Sequence, residues 1–293
     1  MSTAELHPFL RHSLRCLVVG LTYISFLLLG LALTPRTTRL WVLDVGQGDA
    51  ILIRTPDQRT VLVDGGPERS LLYGLGRHLP PWARTIDLLV VTHPHTDHYV
   101  GFIELLQRYR VRALLVTGAR NDTPEYAEFE AAVRAAGARV QLVTGPARYD
   151  LGGVQLRVLA PPTSLAGSVP ANPNDASIVL QLAAGGARAL LTGDLERDDL
   201  RQLAGAGVAS DLLKVAHHGS ADALAPEFYA AVQPAYAVIS VGPNHFGHPS
   251  LRTEAALQRA GAMVLTTQAD GDVGFTAGTA RFSRRPVGWW PSW

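Results

Sequence analysis

The chain has 293 residues, 47% of them hydrophobic, enough for one large domain or two small ones around a buried core, and this excludes a disordered chain. A net charge of +1 excludes the strongly basic surface of a protein that coats nucleic acid, so any polyanion must be bound locally. The single cysteine, Cys16, excludes an intramolecular disulfide and a cysteine-cluster metal site, leaving His, Asp and other oxygen donors to hold any metal.

Residues 16–34 carry no charge and are flanked by Arg11 and Arg15 on one side and by Arg36 and Arg39 on the other. At a rise of about 1.5 Å per residue, such a run just spans a hydrocarbon core. An uncleaved signal anchor is preferred over a cleaved signal peptide, for which Gly30-Leu31-Ala32 supplies small residues, and over a buried core helix. Three segments follow from this: an anchor or signal over 1–35, a domain over 36–278 and a Trp/Arg-rich tail over 279–293. The domain is placed outside the cytoplasmic membrane on a single pass, or secreted if the segment is cleaved. The tail either docks on the fold or sits at a membrane interface.

After Pro35 the texture becomes short β-branched and leucine-rich runs separated by turn residues. Strands are predicted over 39–45, 49–55 and 60–66, the first two around the Gly46-Gln47-Gly48 turn. A fourth, over 87–93, is nearly continuous in apolar residues and so covered on both faces. Helices are predicted over 101–109 and 124–136, the latter opening on Thr123 as N-cap and Pro124 at the first helical position. The second half repeats this grammar, with strands over 154–161, 176–183, 187–194, 210–218 and 236–242 and helices over 196–204, 226–232 and 252–260. Two β-rich halves with covering helices predict a four-layer αββα sandwich of the α/β (α+β) class.

The densest chemistry lies at the end of the fourth strand, where His93, His95, Asp97 and His98 follow the pattern H-x-H-x-D-H. Four potential ligands within six positions point to metal far more specifically than a lone histidine would. His93 with His95 suits one ion and Asp97 with His98 a second, and a pair about 3.5 to 4 Å apart suits hydrolysis of an ester. Asp194 follows an apolar strand, where its carboxylate can bridge two cations. Of His217 and His218, strand alternation lets only one point straight at the metals, and the sequence leaves open which; the other is free to face substrate or donate a proton. Asp64 is assigned to orienting a ligand histidine. His245 and His248 lie close to a turn, with substrate binding and no role equally open.

Together with the phrases "LDVGQGDAILI", "VLVDGG", "NDASIVL", "LLTGDL", "DLLKVAHHGS" and "GPNHFGHP", these residues resemble the metallo-β-lactamase superfamily. Within it they resemble the C-terminal hydrolase domain of the ComEC family of DNA-internalization competence proteins, in order from about residue 39 to about residue 275. The resemblance implies an αββα sandwich on the outer face of the membrane and metal-dependent cleavage of DNA during uptake. It also implies two divalent ions, zinc or manganese with magnesium as a third option, and a separate channel protein as partner, since one candidate helix cannot conduct DNA.

The histidine that completes the first metal site in most of the superfamily is missing. Its slot holds Asn172, Asn174 and Asp175, and an oxygen ligand there favours manganese or magnesium over zinc. Asn174 matches a residue usual in the ComEC branch and is assigned a supporting role. Val100 replaces one glycine of the usual "DHxGG", a packing difference. Catalysis is assigned to Asp97, His218 and His248, and substrate binding to Lys214, Ser220, Asn244 and His245. Two rivals to the DNA phosphodiesterase are a hydrolase of a small-molecule or cell-envelope (phospho)ester and a non-enzymatic assembly part of an uptake machine.

Overall fold

A computed structural model of the chain describes residues 6–33 and 36–285. Two compact units are present, residues 1–36 and 37–293. The first contains the helix α1 (Leu6–Leu33), whose described side chains between His12 and Phe26 are exposed. Among the described residues no helix is long and apolar enough to cross a membrane, so the membrane-spanning anchor expected over 16–34 is unsupported. The end of that segment also lies outside the described residues.

The second unit is built on two sheets. One has eight strands in the order β15-β14-β1-β2-β3-β4-β5-β6. Its strands are β1 (Arg39–Val42), β2 (Ala50–Arg54), β3 (Thr60–Gly65), β4 (Thr85–Val90), β5 (Arg110–Val116), β6 (Arg139–Leu142), β14 (Val273–Ala277) and β15 (Phe282–Arg284). The other has seven in the order β13-β12-β11-β10-β9-β8-β7. These are β7 (Ala147–Leu151), β8 (Val154–Ala160), β9 (Val179–Ala184), β10 (Ala187–Leu191), β11 (Leu212–Lys214), β12 (Tyr236–Ile239) and β13 (Met263–Thr266).

Period-two alternation sorts their apolar side chains into layers. Leu40, Val42, Ile51 and Ile53 meet Leu180, Leu182, Ala189 and Leu191 between the sheets. Trp41, Leu43, Leu52 and Leu62 face the other way, against α2 (Ser70–His78), α3 (Thr96–Arg108) and α4 (Pro124–Ala136). On the far side, Val179, Leu190, Leu213 and Ala237 pack on α5 (Arg197–Leu203), α6 (Pro226–Val232) and α7 (Leu251–Arg259). The short α8 (Thr267–Asp270) follows β13. Helix, sheet, sheet, helix is the four-layer arrangement expected from the sequence.

The sheet continues past residue 278. Phe282 of β15 is fully buried between the sheets, so the start of the expected tail belongs to the domain, while residues 286–293 lie outside the described residues. Helix α3 starts at Thr96, five residues earlier than predicted, so Asp97 and His98 stand in its first turn. That turn sits hard on the end of β3. Gly101 N–H donates to the Gly66 carbonyl at 2.9 Å, and a Cβ on Gly101 would lie 2.0 Å from the Gly65 oxygen. Gly101→Ala is expected to push α3 off β3 and to lower stability by about 1–3 kcal/mol, read as a lower urea midpoint at unchanged m-value.

Candidate metal centre

Residues at the end of β3 and just past β4, β10 and β11 meet at one edge of the sandwich. Thr92 donates its N–H and its hydroxyl to the two oxygens of Asp64, each at 2.8 Å, which ties the segment after β4 to the end of β3. The Thr92 and Ser177 hydroxyls lie 3.0 and 3.4 Å from His93 Nδ1. His98 Nδ1 donates to Asp64 Oδ2 at 2.9 Å, and His218 Nδ1 donates to the Ser240 carbonyl at 2.9 Å. Three buried imidazoles are thus gripped from behind at Nδ1, the arrangement that fixes ring orientation in metal-ligating histidines and turns Nε2 inward.

The inward atoms converge on carboxylates. His98 Nε2 and His218 Nε2 each lie 3.2 Å from Asp194 Oδ2, and His218 Nε2 lies 3.2 Å from Asp97 Oδ2. His93 Nε2 is 3.1 Å from His95 Nδ1. The donor atoms of His93, His98 and Asp194 form one compact group, and those of Asp97, His98 and His218 form another. Imidazole nitrogen mixed with carboxylate oxygen fits zinc, manganese or iron, so the residues present fit the divalent ions that the motif implies.

The electrostatics are those of a cation site. Burial opposes protonation of His98 and His218, yet Asp194 with Asp64 and Asp97 around His98, and Asp194 with Asp49 and Asp97 around His218, hold both rings well above the usual histidine range. Burial likewise opposes ionisation of Asp194, and His218, His98 and Lys214 outweigh it and hold its carboxyl well below the ordinary range. His93 goes the other way: burial, then the charge on His98, pushes it down, so it stays neutral. Ligation through Nε2 requires the rings of His98 and His218 to give up their Nε2 proton, so apparent metal affinity is expected to climb with pH, about tenfold per pH unit for each proton released. Calorimetry in two buffers of different ionisation enthalpy counts these protons; a count of zero would contradict the protonated pair.

Backbone geometry sends His217 and His218 in different directions. Both residues adopt left-handed conformations (φ 47° and 50°), a strain that costs about 1–3 kcal/mol each and gathers at functional sites. The turn aims His218 at Asp97 and Asp194. It sends His217 to the mouth, 5.4 Å from the His248 ring and 3.9 Å from a Glu196 oxygen, outside the compact donor groups. The Nδ1 atoms of His217 and His248 are buried and lack a hydrogen-bond partner. His95 and Asp97 are partly exposed, so the centre opens on their side.

Three expected substrate contacts fall elsewhere. Lys214 is 1% exposed and reaches Asp49 closely and Asp194 at 3.5 Å, which makes it an internal counter-charge below the centre. Ser220 is buried, its hydroxyl accepting from Asp222 N–H and its carbonyl accepting from the Thr253 hydroxyl. The amide of Asn244 is spent inside its own loop. His245 is exposed, its ring 4.4 Å from that of Phe246 and tilted by 35° to it. Asn174 is buried and donates to Glu196 at 3.1 Å.

Asp49 is the site residue that sequence reasoning missed. It is buried, paired with Lys214, and 3.5 Å from His218 Nδ1. Burial opposes its ionisation, but Lys214 and then His218 hold its carboxyl below the usual range. Its signal was present: a carboxylate at the head of the apolar run 50–53, in a chain whose sole lysine needed a buried partner.

Comparison with known proteins agrees with this geometry. The chain is 31% identical to ComE operon protein 3 of Bacillus subtilis (strain 168) over 79% of its own length and 32% of that protein's. It is also 31% identical to competence protein ComA of Neisseria gonorrhoeae, over 84% of its own length and 33% of that protein's. The chain therefore spans about a third of the length of the curated relatives it matches, and the resemblance to ComEC-type competence proteins holds. Among solved structures, the metallo-beta-lactamase fold protein YhfI from Bacillus subtilis aligns with a TM-score of 0.57 at 14% identity, covering 82% of this chain and all of YhfI. Zn(2+)-bound PqqB from Methylobacterium extorquens aligns with a TM-score of 0.51 at 13% identity, covering 78% of this chain and 97% of PqqB. These two show a shared fold. Residues 43–242, which run from the end of β1 past His218, match the metallo-beta-lactamase superfamily, and the chain belongs to that superfamily of metal-dependent hydrolases.

Proposed function

We propose that the chain is a metal-dependent phosphodiesterase that cleaves DNA during competence-linked uptake. The observation that carries this reading is the convergence of the gripped histidines on Asp194 and Asp97 at an open mouth, in a chain related to competence proteins. Divalent ions, when bound there, supply the Lewis acid and the activated water that phosphodiester hydrolysis needs. His93, His95, Asp97, His98, Asp194 and His218 would hold them. Asp64, Thr92, Ser177 and Ser240 keep the rings aimed. His217 and His248 stand at the mouth, suited to holding a proton for the leaving oxygen. With no third histidine near Asn174, the reading favours manganese or magnesium over zinc. It places the domain at the outer face of a membrane, next to a separate channel protein.

A second reading, hydrolysis of a small or cell-envelope (phospho)ester, draws support from one feature. Asp175, Glu196, Asp198, Asp199 and Asp222, against the one cation Arg197, line an open cleft beside His217, a net-negative surface that repels a long polyanion. The deciding experiment strips the protein of metal, restores manganese, zinc or magnesium singly, and follows cleavage of linear DNA and of a chromogenic phosphodiester beside Asp97→Ala. Metal-dependent DNA cleavage lost in the variant is the expected result. Turnover of the small ester alone would favour the second reading.

A further inference from the structure

We infer that Phe246, backed by His245, is a stacking platform for an unpaired nucleobase at the mouth of the metal centre; this rests on the DNA-cleaving reading and narrows its substrate to single strands. Phe246 is 61% exposed at the tip of the loop over residues 242–249 that follows β12. A singly exposed apolar side chain is ordinary on a protein surface. This one sits on an unusually fixed backbone. Asn244 Nδ2 donates to the carbonyls of Gly242 and His248 at 2.9 and 2.7 Å, and its Oδ1 accepts from the N–H groups of Phe246 and His248 at 3.0 and 3.1 Å.

Both ends of the loop are anchored to site-bearing segments. A Cβ on Gly242 would lie 2.6 Å from the Gly46 carbonyl carbon, in the turn that leads to Asp49. Ser250 N–H donates to the Gly219 carbonyl at 2.9 Å, next to the strained histidine turn. The platform is therefore built from the same two segments as the centre. Its ring belongs to none of the three apolar clusters and contributes nothing to the core.

Position supplies the functional argument. From the surface inward, Phe246 is 5.8 Å from the His248 ring, and His248 is 6.3 Å from the His218 ring, whose Nε2 faces Asp97 and Asp194. One intervening ring separates an exposed aromatic face from the atoms that would meet a phosphate, a spacing suited to a nucleotide with its phosphate at the centre and its base on Phe246. The two flanks of the mouth also differ in charge. The cleft beside His217 carries five carboxylates against one arginine, Arg197, whereas the loop over residues 242–249 contains no acidic residue. A strand is repelled on the first side and tolerated on the second. Base-on-aromatic stacking is sequence-tolerant and requires an unpaired base, because a base inside a duplex has no free face.

The test uses the full chain and two fluorescent oligonucleotides of equal length, one of deoxythymidylate and one of abasic sites. Dissociation constants are measured by anisotropy in chelator, and KM and kcat for cleavage with manganese. Phe246→Ala is expected to weaken binding of the thymidylate strand about ten- to a hundredfold, to leave the abasic strand within twofold and to raise KM rather than lower kcat. Phe246→Trp is expected to restore binding. Equal losses on both strands, or an unchanged thymidylate constant, would overturn the platform. If neither strand is cleaved with any ion while Phe246→Ala still weakens only the thymidylate strand, the platform stands and the DNA-cleaving reading fails. If both proteins cleave the thymidylate strand with one KM, the reverse holds.

Discussion

Lys214→Met is expected to lower the stability of the metal-free protein by about 3–5 kcal/mol, the cost of leaving a buried charge without its partner. Lys214 closes β11 in the seven-stranded sheet, and Asp49 stands just before β2 in the eight-stranded sheet, so their contact pins the two sheets together under the metal centre. Burial alone would strip the proton from Lys214, but Asp49 and then Asp194 hold its affinity above the ordinary lysine value, so the ammonium persists. Removing it leaves two buried carboxylates facing each other across the floor. The variant Asp49→Leu with Lys214→Met replaces both charges by apolar groups and should recover a large part of the loss, because an absent pair is cheaper than a broken one. Urea denaturation of the two single variants and the double variant gives the coupling energy. A Lys214→Met midpoint equal to that of the parent would show that the pair does not hold the sheets.

The layers of the fold and the metal motif were legible in the sequence for a physical reason: central strands hold unbroken apolar runs such as 50–53 and 189–191, and ligands crowd at strand ends. Other strands were not. The internal strand β5 carries Arg110 and Arg112 among its apolar residues, and the edge strands β6, β7 and β13 are short and half exposed, so their signal is weak. Helix α3 was predicted to start late because its first turn is spent on chemistry. Asp97 and His98 point to the centre, so apolar periodicity begins only afterwards. Lys214 was read as a substrate contact because charge suggests a surface, whereas alternation puts it on the same face of β11 as Leu212, which is buried between the sheets. Which histidine of the pair faces the carboxylates depends on a left-handed turn that alternation does not foresee.

Asp194→Asn is expected to abolish hydrolysis, by about a thousandfold or more, with little loss of fold. The side chain keeps its shape, and Lys214 keeps Asp49 as its nearer partner. What disappears is the negative charge that His98 Nε2 and His218 Nε2 share at 3.2 Å, and with it the carboxylate of the His93–His98–Asp194 group; the removed charge stabilisation is of the order of several kcal/mol. Asp64→Asn makes the controlled contrast. Asp64 touches His98 only from behind, through Nδ1, and holds Thr92 in place, so its variant should lose about ten- to a hundredfold in metal affinity or rate. Titration of each variant with manganese, followed by turnover at saturating metal, separates the two roles. Excess manganese should restore most of the Asp64→Asn rate and none of the Asp194→Asn rate. Equal rescue of both would place Asp194 behind the ligands and leave Asp97 as the carboxylate on which the centre depends.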